Sequence, residues 1–326
     1  MPATAVPTNE AGLNTESTIK LERILEPDQR AYWEANGYLV LPGFYAEADL
    51  ERVERCYAHA WSKLPDYIVV DILETRRRCY MSQTTEAERA ARFVKTNDLY
   101  LNYPDVRGAA LDLRMVRVLT ELLGDRPVMC HSLNFKRSSQ QPVHVDSIYM
   151  SPRTPSRLVA TWIALEDSRP DAGQLFYYPG SHRIPPFVFA PDGRRASQSP
   201  EDQGRWNEYI HAQIEQRGLT PSTFAARRGD VLIWHSELAH GGQAVTNPEA
   251  TRRSLVSHFW GEADCREAGE PMEALNGGFW IHRPSHPVPG LPQRLGPDDA
   301  MAEPEAKGVP VNGHGLMERL SSLFRR

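Results

Sequence analysis

The chain has 326 residues, of which 40% are hydrophobic and 24% charged, with a formal net charge of −5 at pH 7; that suits one large domain with extensions and an ample core. The mildly acidic balance argues against a nucleic-acid partner, which needs a basic face. No apolar run reaches bilayer length and the N-terminus lacks the basic-then-apolar order of a secretory leader, so a cytoplasmic protein without membrane insertion is expected. Cys56, Cys79, Cys130 and Cys265 form no close pair, which points to reduced thiols rather than a disulfide or zinc framework.

Residues 1–20 are small, polar and proline-containing, and a disordered tail is expected there. From Glu26 the spacing of Tyr32, Trp33 and the alanines predicts a helix stopped by Asn36-Gly37, followed by a strand and turn. Ala46 to Leu64 carries Leu50, Val53, Cys56, Tyr57 and Ala60 at helical spacing, an amphipathic helix. Ile68 to Tyr80 reads as a strand running into Arg76, Arg77 and Arg78. Such a charge run is most often a solvated face, yet it also suits an anionic substrate; Lys95 and Tyr100 are weaker candidates of the same kind. Asp105 to Leu123 reads as a single support helix ended by Gly124-Asp125, and Pro127 to Phe135 as a strand feeding Lys136.

Pro142 to Tyr149 alternates as a strand does, so His144 and Asp146 point to one face. An imidazole and a carboxylate offered together suit a borderline divalent metal, and one distant histidine would complete a facial triad with open coordination positions. The later apolar strand Val231–Trp234 is followed by two histidines, of which His240, before Gly241-Gly242, is the candidate and His235 its competitor. A bare His-x-Asp recurs by chance; the second stretch gives it weight. Arg252 to Trp260 then reads as a strand opening with two arginines, only one of which can face inward. A guanidinium there could grip the far carboxylate of a dicarboxylic co-substrate.

Leu158 to Leu165 is almost continuously apolar, as a strand buried on both faces would be. A turn at Asp171–Gly173 leads to the returning segment Gln174–His182. Residues 192–218 are polar and read as an insertion with one helix, a candidate lid. Short strands with turn residues between them predict a double-sheet jelly roll whose mouth holds the metal. After Glu262, a turn at Asn276-Gly277-Gly278 and prolines at 284, 287, 289 and 292 predict an extended wrap or linker over 266–310. Gly315 to Arg326 could form a short amphipathic helix.

His144-Val-Asp146, the segment Trp162–His182, the His240-Gly pair, Arg252 and the opening Gly37–Phe44 together resemble the phytanoyl-CoA dioxygenase family, over roughly residues 28–262. The resemblance implies a mainly β fold with flanking helices and a double-stranded β-helix (jelly-roll, cupin-like) core. Residues 21–265 are then a dioxygenase domain, with a helical part at 21–125 and the jelly roll at about 126–262, and 266–326 are a Pro/Gly-rich extension ending in a short helix. It implies Fe(II), 2-oxoglutarate and O2, with His144, Asp146 and His240 as catalytic metal ligands, because the ligand histidine precedes glycine. Arg252, first of the arginine pair, becomes the carboxylate anchor, and the strand before the triad makes Asn134 and Lys136 candidate co-substrate contacts. Ser147, Tyr149, Arg153 and Arg76 are candidate substrate contacts, whereas His182 is given no metal role. Gly242 departs from the family's common His-Gly-Ser pattern, so a hydroxyl that often anchors the co-substrate is absent.

The reaction implied is hydroxylation of an unactivated C–H bond in a small polar or anionic metabolite, with 2-oxoglutarate converted to succinate and CO2. Asp146 favours that outcome over halogenation, since related halogenases carry a small residue at this position. Two rivals remain: a jelly-roll metal enzyme without 2-oxoglutarate, which would not need Arg252, and a non-catalytic binding protein, which would usually have lost a ligand.

Overall fold

The computed structural model describes residues 24–91 and 93–282; the expected N-terminal tail, the proline-rich stretch and the terminal helix lie outside the described residues. Helix α1 (Pro27–Asn36) starts with Pro27 in its first turn and a reciprocal Glu26–Gln29 cap, both of which satisfy or remove orphan N–H groups. It stops at Gly37, whose φ of 76° suits glycine. A Cβ there would also lie 2.4 Å from the His182 ring. Strand β1 (Tyr38–Leu41) and helix α2 (Glu47–Lys63) follow close to the predicted bounds.

The region after α2 folds differently from the single strand predicted. It makes a hairpin, β2 (Val69–Ile72) and β3 (Arg77–Tyr80), then a short helix α3 (Glu86–Arg89) and strand β4 (Val94–Asn97). The one helix expected over Asp105–Leu123 is two, α4 (Pro104–Ala110) and α5 (Leu113–Leu123). The break falls where the Asp112 carboxylate accepts the Arg114 N–H, a cap that starts a new helix at the point where the old one ends.

The remaining elements are β5 (Pro127–Phe135), β6 (Leu158–Ala164), β7 (Leu175–Tyr177), α6 (Pro200–Gln216), β8 (Ser222–Phe224), β9 (Val231–His235), β10 (His240–Gly242), β11 (Ser254–Gly261), α7 (Glu262–Glu267), β12 (Met272–Leu275) and β13 (Gly278–Ile281). The major sheet runs β1-β9-β6-β11-β5-β4-β2-β3, with β13 joining β5 in parallel and β12 pairing β13; the minor sheet runs β10-β7-β8. Every residue of β6 is buried, because its two faces meet different layers. Ile163, Ile233 and Leu255 face a core shared with Leu50, Val53, Val116 and Leu119 of the helices. Trp162, Trp234 and Val256 face the minor sheet through Leu175, Tyr177 and Phe224. This alternation is the two-step period of the strand, and the result is a jelly roll with helices on one side.

The stretch 266–282 is not the extended wrap predicted. Asn276 and Gly277, with φ of 52° and 88°, make a two-residue turn that pairs Leu275 with Gly278 and Met272 with Ile281. Positive φ at both central residues matches the twist of the flanking strands. The turn was readable; the flanking strands, too short and irregular to show a period, were not.

Candidate active site

The triad segment is not a strand. His144 makes an isolated bridge to His240, and Asp146–Ile148 is a 3-10 turn in which the Asp146 carbonyl accepts the N–H groups of Tyr149 and Met150. Val145 between them is extended, at φ −122° and ψ 147°, and one extended residue suffices to bring His144 and Asp146 to the same side. His240 arrives from β10, in the facing sheet. The ligand atoms of His144, Asp146 and His240 lie within 4.8 Å of one another and all three residues are buried.

Each side chain is aimed by its neighbours. His144 Nδ1 is 2.9 Å from the Pro142 carbonyl and His240 Nδ1 is 2.9 Å from the Leu238 carbonyl. A carbonyl only accepts, so both Nδ1 atoms carry protons and both Nε2 lone pairs face the shared point. The Trp234 indole N–H donates to Asp146 Oδ2 at 2.8 Å, and His258 Nε2 stands 3.5 Å from the same oxygen. Oδ1 is thereby left toward the cluster, 3.8 Å from His240 Nε2. Burial lowers the His144 ring to about 3, helped by the adjacent His240, which keeps it neutral and available as a donor. Burial works against the Asp146 carboxylate, but the pull of His240, His258 and His144 outweighs it and holds the group well below the usual range.

One cavity joins this cluster to Arg252, with Trp162, Leu175 and Phe135 among its walls. Arg252 is 4% exposed. Its Nη1 donates to the Gly173 carbonyl at 2.9 Å and its guanidinium lies over the Trp162 ring, 5.6 Å from the centroid, but its Nε has no hydrogen-bond partner. No acidic side chain among the described residues pairs with it, and burial pulls it down to about 10. Arg253 points the other way, to Glu54 and to Glu166 at 2.9 Å. His235 likewise faces away from the cluster, toward Trp33 and His182.

Several candidates fall elsewhere. Asn134 sits between the cavity-lining Leu133 and Phe135, so it faces the helix layer, opposite Leu255. Lys136 is exposed, and only its backbone carbonyl, which accepts the Arg252 N–H, touches the site. Arg76 is exposed at the β2–β3 turn with φ 53°. Arg153 pairs with Glu267 at the surface, at 2.8 Å. Tyr149 stays near, its ring 5.8 Å from that of His144, and buried Ser147 donates its backbone N–H to the Ser236 carbonyl. The insertion packs on this turn: the Ser197 N–H donates to the Ile148 carbonyl, and Trp206 and Ile210 share a core with Ile148 and Met150.

Three residues were missed or underweighted. His258 and Trp234 hold Asp146. The signal for His258 was its place six residues after Arg252, on the same face of one strand. Trp234 ends the apolar run of β9, and nothing in that run marks its indole N–H as a donor to Asp146. Lys95 is buried, with Nζ 3.2 Å from Gln141 Oε1. It lies opposite Phe135 on one side and Asp71 on the other, and Asp71 lies opposite Arg78, so a polar, net cationic row extends the cavity face of the major sheet.

Against known proteins, residues 33–254 match the family model for phytanoyl-CoA dioxygenase (PhyH). The peroxisomal phytanoyl-CoA dioxygenase of Homo sapiens is 24% identical over 263 residues, covering 74% of this chain and 70% of that protein. The Caenorhabditis elegans protein called probable phytanoyl-CoA dioxygenase is 25% identical over 263 residues, covering 74% and 78%. Among solved structures, the non-heme alpha-ketoglutarate-dependent carbocyclase SnoK from nogalamycin biosynthesis superposes with a TM-score of 0.56 at 17% identity, covering 79% of this chain and 97% of that one. EctD from S. alaskensis, solved with 2-oxoglutarate and 5-hydroxyectoine, gives 0.53 at 17% identity, covering 74% and 77%. At such identities the structural likeness is one of fold. The family match spans both sheets and reaches from α1 to the start of β11, and on that ground the chain belongs to the phytanoyl-CoA dioxygenase family.

Proposed function

We propose that this protein is an Fe(II)- and 2-oxoglutarate-dependent dioxygenase that hydroxylates a C–H bond of a small polar or anionic molecule. The observation that carries the reading is Arg252: a buried guanidinium without an acidic partner among the described residues, in the cavity that also reaches His144, Asp146 and His240. A buried cation left unpaired is costly, and the far carboxylate of 2-oxoglutarate would satisfy it. Gly242, which has no hydroxyl to offer, leaves this arginine as the main anchor.

The donor set fits iron. Two imidazoles and one carboxylate on one side leave the opposite positions open for co-substrate and dioxygen. The bound metal and 2-oxoglutarate would supply the oxidising chemistry, with succinate and CO2 as by-products. The protein's own residues hold and exclude. The Pro142 and Leu238 carbonyls orient the imidazoles, Trp234 and His258 orient the carboxylate, and Trp162, Leu175 and Phe135 give the cavity apolar walls. The row Lys95–Asp71–Arg78 supports the polar or anionic substrate class. All four cysteines are free, as in a reducing compartment, which supports a cytoplasmic location. No helix among the described residues is long and apolar enough to cross a membrane.

The test is an anaerobic titration of metal-free protein with Fe(II) and then 2-oxoglutarate, followed by visible charge-transfer absorption. Wild type should form the band, and Arg252→Ala should need at least about tenfold more 2-oxoglutarate, the loss of one charge-assisted contact of about 1.5–3 kcal/mol. Bound iron with no band would move the assignment to a metal enzyme that does not use 2-oxoglutarate.

A further inference from the structure

A continuous line of oxidisable rings leads from the candidate metal centre to the surface. Trp234 is the inner end: its indole N–H donates to Asp146 and its ring lies 5.0 Å from that of His240. Tyr38 stands directly opposite Trp234 across β1 and β9, and Tyr177 directly opposite His240 across β7 and β10. The Tyr38 and Tyr177 rings are 4.4 Å apart. Tyr38 is next hydrogen-bonded, hydroxyl to hydroxyl, to Tyr32, with ring centroids 5.3 Å apart. Tyr32 is 42% exposed.

Packing alone does not explain this choice of residues. Phenylalanine would fill the space between the sheets as well as tyrosine, without two buried hydroxyls to satisfy. Here the hydroxyls satisfy one another, Tyr177 to Tyr38 and Tyr38 to Tyr32. Burial and the Tyr38 hydroxyl push the Tyr32 phenol up to about 12, so the line is neutral at ordinary pH.

We infer that Tyr32, Tyr38, Tyr177 and Trp234 form an electron relay that discharges the metal centre when 2-oxoglutarate and dioxygen are consumed without substrate. The inference rests on the proposed 2-oxoglutarate chemistry. Decarboxylation of 2-oxoglutarate supplies two of the four electrons that dioxygen can accept, and a substrate C–H bond normally supplies the other two. Without substrate, those two electrons come singly along the rings. Trp234 or Tyr177 gives one to the centre, Tyr38 replaces it, and Tyr32 replaces that, losing its phenol proton to solvent. A small soluble reductant, ascorbate or a thiol, returns one hydrogen atom to Tyr32 at each passage. Two passages, with two protons taken up at the centre, carry the remaining oxygen atom to water.

The test uses the full chain with Fe(II), 2-oxoglutarate and air, with no substrate and with or without ascorbate. Succinate is quantified, oxidised residues are mapped by peptide mass spectrometry, and freeze-quenched samples are read by electron paramagnetic resonance. Wild type should show a tyrosyl radical and oxidation concentrated at Tyr32, suppressed by ascorbate. Tyr32→Phe and Tyr38→Phe, neither of which lines the cavity, should keep the anaerobic charge-transfer band yet shift oxidation several-fold toward Tyr177 and Trp234. Succinate formation with the same damage map in all three proteins, or damage confined to cavity-lining residues other than Trp234, overturns the relay alone. No succinate from any of them overturns the 2-oxoglutarate reading and the relay with it.

Discussion

Asp146 takes its orientation from two residues that reach it from other strands, the Trp234 indole at 2.8 Å and His258 Nε2 at 3.5 Å. Partners of this kind set ligand geometry, and their loss typically costs about 10–100-fold in metal affinity. Trp234→Phe keeps most of the ring volume but deletes the donor, so metal affinity should fall by about that factor while the fold is retained. A metal-competition titration checks it; unchanged affinity would count against the indole as the positioning group. Asp146→Ala removes the carboxylate itself and should abolish coupled succinate formation. At this scale the sequence was readable where residues are neighbours, as in His144-Val-Asp146. His258 and Trp234 were not, because what they do depends on which strands lie beside each other. Asn134 misled for the opposite reason: the right strand was identified, but its face was not, and the alternation puts Leu133 and Phe135 in the cavity instead.

At the level of elements, the β12–β13 hairpin is part of the core rather than an appendage. Trp280 is 5% exposed, packs edge-on against Tyr100 with centroids 6.1 Å apart, and carries the Arg107 guanidinium 4.3 Å above its ring. Trp280→Ala should therefore cost about 3–5 kcal/mol, seen as a lower urea midpoint; a change under about 1 kcal/mol would show that the hairpin is dispensable. On the facing sheet, Gly241 has no room for a side chain: a Cβ would lie 2.8 Å from both the Gln141 carbonyl oxygen and the Phe176 ring. Gly241→Ala should loosen the β10–β7 pairing that delivers His240, and lower both Tm and metal affinity. Helices α1 and α2 and strands β6 and β9 were legible from period and caps. The β2–β3–β4 extension of the sheet was not, because four-residue strands interrupted by charged turns carry too little pattern.

For the whole molecule, acid stability reports how completely the layers close over their histidines. His235 is lowered to about 4 by burial and then by neighbouring His182, which burial also lowers. Between the ordinary histidine value near 6.5 and about 4, the unfolded chain binds a proton that the folded one refuses. Stability should therefore fall as pH drops through that window, by up to about 3 kcal/mol for His235 alone, at 1.36 kcal/mol per pKa unit. Urea unfolding of the metal-free protein at pH 7 and pH 4.5 measures it, and His235→Gln should flatten the profile relative to wild type. Equal slopes for the two proteins would show that His235 is not the group responsible. The sequence by itself determined the family, the long sheet-forming runs of β5, β6, β9 and β11 and the three candidate ligands, because those signals are local: an apolar run, a turn, a histidine before glycine. The resemblance had already singled out Arg252 from the arginine pair; tertiary structure alone decided that Lys95 lies beside Phe135 on the sheet face that carries the cavity while Asn134 and Lys136 look elsewhere, and that Trp234 and His258 grip Asp146. Each of these depends on which strands are neighbours and which face looks inward, and short strands brought together from distant parts of the chain do not encode that locally.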